Sequence, residues 1–159
     1  MKLKVGERAP VFSSPDQSGE YHQLSEYKGG WLLLYFYPKD NTPGCTAEAC
    51  SLRDNFSRFQ KADIKIVGVS VDPVISHQEF ASKYELPFTI LSDERHEMVN
   101  AYGVWGRRKF MGLMYEGTSR TSFLINPFLR IVKIYEDVDP RDHADEILAD
   151  IEELKRNIK

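Results

Sequence analysis

The sequence predicts an α/β domain with a central sheet, and three observations carry that expectation. Short β-rich runs alternate with amphipathic segments, which is how a sheet covered by helices reads along a chain. One run, Trp31 to Tyr37, has no polar face at all, as a central strand packed on both sides requires. The chain counts 159 residues, and at roughly 100 to 200 residues per domain this predicts one domain over 1–159.

The elements follow in order. Asp16 to Gly19 is a turn between two short β-compatible pieces, an N-terminal β-hairpin ahead of the strand Trp31 to Tyr37. Thr42 is placed as the cap of the first helix, with Pro43 at its first position, where a missing N–H loses nothing. Cys45, Ala49, Leu52, Phe56 and Phe59 then recur at helical spacing and predict one continuous helix. Ile64 to Val71 and Thr121 to Asn126 read as further buried strands, Phe88 to Leu91 as a shorter one, and Ile131 to Glu136 as a strand nearer an edge. Ser76 with Glu79 in capping-box order opens a helix to Tyr84, and Glu94 to Tyr102 is a third helix closed by Gly103. The last is capped by Asp139, and Ala144, Ile147, Leu148, Ile151, Leu154 and Ile158 form its buried stripe. Arg107, Arg108 and Lys109 read as a solvated loop between Gly106 and Gly112, with docking of an acidic partner patch as the competing role, and Phe110, Met111, Leu113, Met114 and Tyr115 as an apolar patch over a pocket or a partner surface.

Composition excludes several classes. With 42% hydrophobic and 28% charged residues and no run of like charge, disorder is not expected. Lys plus Arg is 21 against 24 acidic residues, so no concentrated basic face is available and nucleic acid is not an expected partner. The longest apolar run is far below the roughly 20 residues of a membrane span, and the N-terminus lacks an apolar signal core; no membrane association and a cytoplasmic location are expected. Two cysteines are too few for a four-thiolate zinc site, and His22, His77, His96 and His143 share no ligand spacing, so neither metal nor cofactor is expected.

Chemistry concentrates where the apolar strand feeds a Pro and Gly loop and then a helix with Cys45 in its first turn. Unpaired amides and the positive end of the helix dipole favour thiolate over thiol, whereas apolar walls push the other way, so a buried Cys45 needs a cation from a distance. The competing reading is a small core residue on an apolar stripe. Five residues on, Cys50 lies toward the polar shoulder of the same helix. On a wound helix the two Cα atoms are about 8 to 9 Å apart, beyond the roughly 7 Å that a disulfide spans. A bridge between them requires the helix to unwind; otherwise Cys50 only fills a gap.

These residues carry a resemblance. Pro38, Thr42 and Cys45 match the PxxxTxxC signature of peroxiredoxins, and FYPKDNTPGCTAEAC is similar to the bacterioferritin comigratory, or Q-type, subfamily of thiol peroxidases. The likeness continues in VGVSVD from Val67, FTILSDE from Phe88, AYGVWGRRKFMG from Ala101 and GTSRTSFLI from Gly117. It implies a thioredoxin-like fold: a central mixed sheet flanked by helices with an N-terminal β-hairpin. It also implies roles. Cys45 would attack peroxide and become a sulfenic acid. Thr42 would orient the peroxide, an alternative use of the hydroxyl to capping the N–H of Cys45. Arg120 would supply the missing cation, Pro38 would shield the site, and Glu48 would orient an arginine. Cys50 would resolve the sulfenic acid as a disulfide, which thioredoxin or a similar dithiol then reduces.

The expected activity is reduction of hydrogen peroxide and organic hydroperoxides by a monomer or weak homodimer. Two alternatives use the same Cys pair: a dithiol-disulfide oxidoreductase, disfavoured because such enzymes generally use Cys-X-X-Cys, and a redox sensor that signals by helix unwinding. Arg53 is a second candidate cation, with a helix salt bridge to Glu48 or Asp54 as its competing role.

Overall fold

The computed structural model describes residues 3–156. Its centre is the strand β3 (Trp31–Phe36), every residue of which is buried. Parallel to it lie β4 (Ile64–Ser70) and β5 (Thr89–Ser92), while β8 (Thr121–Ile125) and β9 (Ile131–Tyr135) extend the sheet antiparallel on the other side. The order is β5-β4-β3-β8-β9, a mixed sheet of five strands with β9 at an edge as expected.

The apolar character of β3 on both faces follows from its two partners. Leu33, Tyr35 and Tyr37 point to one core, filled by α1 (Pro43–Asp54), α2 (Phe56–Lys61), α3 (Val74–Tyr84) and α5 (His143–Arg156). Leu32, Leu34 and Phe36 point to the other, under α4 (Glu97–Ala101), Phe12 and Leu24. With successive side chains alternating across the sheet, only a run without polar positions fits, and each fully buried Leu contributes about 2 kcal/mol. The N-terminal hairpin forms as expected, β1 (Ser13–Pro15) pairing with β2 (Tyr21–Gln23). Asp16 Oδ1 turns it by accepting from the amides of Ser18 at 2.8 Å and Glu20 at 3.0 Å.

Several expectations are corrected. The first helix is two: it breaks at Asn55, whose side-chain amide donates to the Ser51 carbonyl, and the apolar spacing simply runs across the break. α3 starts at Val74 rather than Ser76, because the Ser76 hydroxyl is taken by Asp40 and caps nothing. α4 starts at Glu97, where the Asp93 carboxylate accepts from the amides of Met98 and Val99 at 3.1 and 2.9 Å and closes the first turn. α5 begins at His143, after a turn in which Asp139 accepts from the Arg141 amide; Ile158 lies outside the described residues.

The largest difference is a second hairpin. β6 (Trp105–Phe110) and β7 (Leu113–Thr118) pair antiparallel across Met111 and Gly112, both at positive φ, the two-residue turn that matches strand twist. Arg107, Arg108 and Lys109 therefore stand on a strand, not in a loop. The apolar residues at its tip are not core: Met111, Leu113, Met114 and Tyr115 are all exposed.

Candidate active site

The candidate residues singled out by the sequence meet at the carboxyl ends of the parallel strands, the edge where α/β sheets present their crevices. β3 ends at Phe36 and releases the loop that leads into α1. Its antiparallel neighbour pairs Thr121 with Phe36, so Arg120, one residue earlier, arrives at this same edge. Sequence separation of 75 residues between Arg120 and Cys45 is closed by that one register.

Cys45 sits in the first turn of α1 and is buried. Arg120 Nη2 donates to Cys45 Sγ at 3.5 Å, while Nη1 donates to Glu48 Oε1 at 2.9 Å. Glu48 lies one turn after Cys45 on the same helix face, so a single planar guanidinium spans both. This is the arginine that the family resemblance names as the cation for Cys45, and the arginine that pairs with Glu48 is Arg120 rather than Arg53. Arg53 takes no part: it pairs with Asp54 and donates to the Tyr84 carbonyl.

The site is electrostatically tense. Burial pushes the Glu48 carboxyl up to about 7, and the Arg120 guanidinium only partly opposes this. Among the described residues, Glu48 Oε2 and the fully buried Tyr35 hydroxyl have no hydrogen-bond partner. Tyr35 is held well above the ordinary phenol range, first by burial and then by the negative charges of Glu48 and Cys45 nearby. Gly44 leaves the room for Arg120, since a Cβ there would stand 2.8 Å from Nη2.

Thr42 occupies the N-cap position by backbone but does not cap. Its hydroxyl donates instead to the Lys39 carbonyl at 2.8 Å, and it makes no bond to the Cys45 amide. Pro38 is half-buried between β3 and this loop. Cys50 is half-buried on α1 and both thiols are free, in keeping with the wound helix between them.

Sequence reasoning missed one group. His77 is completely buried on α3, with Nδ1 2.6 Å from Asp40 Oδ2 and Nε2 2.9 Å from the Leu91 carbonyl. Asp40, Asp72 and His77 bring one ligand atom each within 4.8 Å of one another. Those atoms are already hydrogen-bonded, which leaves the cluster satisfied as it stands. The signal in the sequence was a histidine inside an apolar helix face, which alone says nothing of its partner 37 residues away.

No helix of the described residues is long and apolar enough to cross a membrane. The sequence profile of the AhpC/TSA family matches residues 5–134. The chain is 45% identical over 146 residues to peroxiredoxin Bcp of Escherichia coli K12, covering 92% of this chain and 94% of that one. Its fold is similar to that of a cysteine mutant of Xylella fastidiosa PrxQ, with a TM-score of 0.89 and 30% identity over 100% of this chain and 99% of the other. It is also similar to Xanthomonas campestris bacterioferritin comigratory protein, described for alkyl peroxide reduction, with a TM-score of 0.83, 34% identity, and 89% and 90% of the two chains covered. With a thioredoxin-like sheet, a buried cysteine at a helix start and an arginine brought to it, the chain belongs to the AhpC/TSA family and, within it, to the Bcp/PrxQ peroxiredoxins, which are thiol peroxidases.

Proposed function

We propose that Cys45 is the peroxidatic residue and Cys50 the resolving one, in a peroxidase that takes hydrogen peroxide and organic hydroperoxides. The observation that carries this is the single guanidinium shared by Cys45 Sγ and Glu48 Oε1. The guanidinium donates to the buried sulfur at 3.5 Å, where it orients the attacking atom toward an incoming peroxide. The thiolate attacks one peroxide oxygen, the O–O bond breaks, and the leaving oxygen takes a proton to depart as water or alcohol. Arg120 is placed to stabilise charge as it moves onto that oxygen. Pro38 narrows the approach, and the Thr42 hydroxyl turns from the Lys39 carbonyl to the bound peroxide.

The product sulfenic acid on Cys45 is then attacked by the Cys50 thiolate, with loss of water, to give a disulfide. Because the wound helix holds the two Cα atoms about 8 to 9 Å apart, this step requires α1 to unwind. A dithiol, thioredoxin or one like it, reduces the bridge and lets the helix reform. The similarity to a protein described for alkyl peroxide reduction supports organic hydroperoxides as substrates.

The test compares Cys45→Ser and Cys50→Ser. The first should abolish peroxide consumption; the second should form one equivalent of sulfenic acid but fail to turn over with thioredoxin. Turnover that survives in Cys45→Ser would overturn the assignment.

A further inference from the structure

Asp40 lies two residues before Thr42, and its side chain is saturated with donors. Tyr37 Oη donates to Oδ1 at 2.6 Å, while Ser76 Oγ at 2.8 Å and His77 Nδ1 at 2.6 Å both reach Oδ2. The Leu91 carbonyl can only accept, so the Nε2 facing it at 2.9 Å carries a proton and the ring is aimed at Asp40 by β5. The Asp40 amide donates to Asp72 Oδ2 at 2.8 Å, and Asp72 is itself held by the Ser70 hydroxyl at 2.7 Å. One residue on, Asn41 Oδ1 accepts from Tyr84 Oη at 3.2 Å. At the far end of α1, Arg53 Nη1 donates to the carbonyl of the same Tyr84 at 2.8 Å. α3 thus grips the chain on both sides of the two cysteines.

We propose that Asp40 and His77 are positioning residues that fasten the loop ahead of Cys45 to α3, so that oxidation unwinds only the segment between Asn41 and Arg53. This rests on the reading of Cys45 and Cys50 above. The asymmetry of the contacts supports it. Breaking the Asp40 cluster strands a carboxylate and an imidazole that are both buried, the most expensive kind of contact to lose. Between the two grips, the Thr42 side chain makes an exposed bond to the Lys39 carbonyl, its own carbonyl accepts from the Thr46 amide at 2.8 Å as the opening bond of the helix, and the first turn is held by Arg120. Oxidation puts an oxygen on the sulfur that Arg120 Nη2 meets at 3.5 Å, so the contact within the segment is displaced while those at its upstream boundary persist. Fastening keeps Pro38 and the backbone up to Asn41 in place, and the rewound helix returns Cys45 to the same seat.

The fastening also sets a competition. A second peroxide attacks the sulfenic acid while the helix is wound, and Cys50 attacks it once the helix opens. A weaker fastening favours the open helix, hence faster disulfide formation, slower first oxidation and resistance to over-oxidation.

Hydrogen exchange on the reduced full chain, followed by single turnover with stoichiometric peroxide, tests this. In Asp40→Asn and His77→Gln, amides of residues 43–52 should exchange about tenfold faster while those of β3 and β8 hold, and sulfenic acid should convert to disulfide faster by a similar factor. His77→Asn, which keeps an N–H near the Nδ1 position, should restore both values. Ser76→Ala removes a single donor at a half-buried position, folds without difficulty and should show about a threefold effect. Unchanged exchange over 43–52 in all of these, or acceleration spread equally through the sheet, overturns the proposal. If exchange responds as expected but no sulfenic acid appears on Cys45 in the unaltered protein, the fastening stands and the catalytic reading falls.

Discussion

Arg120 lies over Gly44 so closely that a Cβ on residue 44 would stand 2.8 Å from Nη2, the same nitrogen that reaches the Cys45 sulfur. The glycine is inside a helix and at ordinary φ, so its backbone does not need it. Its neighbour does. Gly44→Ala should push the guanidinium off the sulfur and lower the second-order rate with peroxide about tenfold. Thermal stability should hold or rise, since Ala is favoured over Gly within a helix by up to about 1 kcal/mol. Stopped-flow oxidation and a melting curve on one variant read both signs.

Arg120→Lys tests whether shape or charge matters. A lysine ammonium is a point charge and cannot span Sγ and Oε1 together, as the planar fork does at 3.5 and 2.9 Å. Peroxide reaction should fall about a hundredfold although the charge is conserved. A rate within threefold of the parent would show that charge alone suffices.

Glu48 gives the site a pH signature. Its folded carboxyl is raised to about 7 from an ordinary 4.5, so the folded state holds the proton more tightly than the unfolded chain. The stability this contributes is complete below about 4.5 and is lost as pH rises through about 7. The shift corresponds to roughly 3 kcal/mol. Urea unfolding of Glu48→Gln should therefore move in the variant's favour, relative to the parent, by roughly that amount between pH 4 and pH 8.

Tyr35 and Gly68 test the floor beneath the site. A Cβ on Gly68 would stand 2.7 Å from Tyr35 Cζ, at a buried position of β4 against a fully buried ring, so Gly68→Ala should destabilise the fold by about 1 to 3 kcal/mol. Tyr35→Phe should do the reverse and add about 1 kcal/mol, because the hydroxyl it removes is buried without a partner among the described residues. Denaturant midpoints separate the two.

What could be read from the chain alone is what depends on local composition. The strand Trp31–Phe36 announced itself because a run without polar residues has one stable place, between two helical layers. Cys45 was legible because the loop, Pro43 and the helix start are contiguous, and the need for a distant cation followed from burial alone. Naming that cation as Arg120 took the family resemblance of the GTSRTSF segment. Other features are not written locally. The break at Asn55 is hidden because Leu52, Phe56 and Phe59 keep helical spacing across it. The hairpin of β6 and β7 is hidden because Gly106, Arg107, Arg108 and Lys109 stand in solvent or near it, where no alternation is imposed. Thr42 looked like a cap, and Ser76 looked like another, until Lys39 and Asp40 claimed their hydroxyls. The pairing of Asp40 with His77 was decided only when β4 and β5 carried α3 across the loop, since a hydrogen bond between residues far apart in sequence is set by the registers that bring them together.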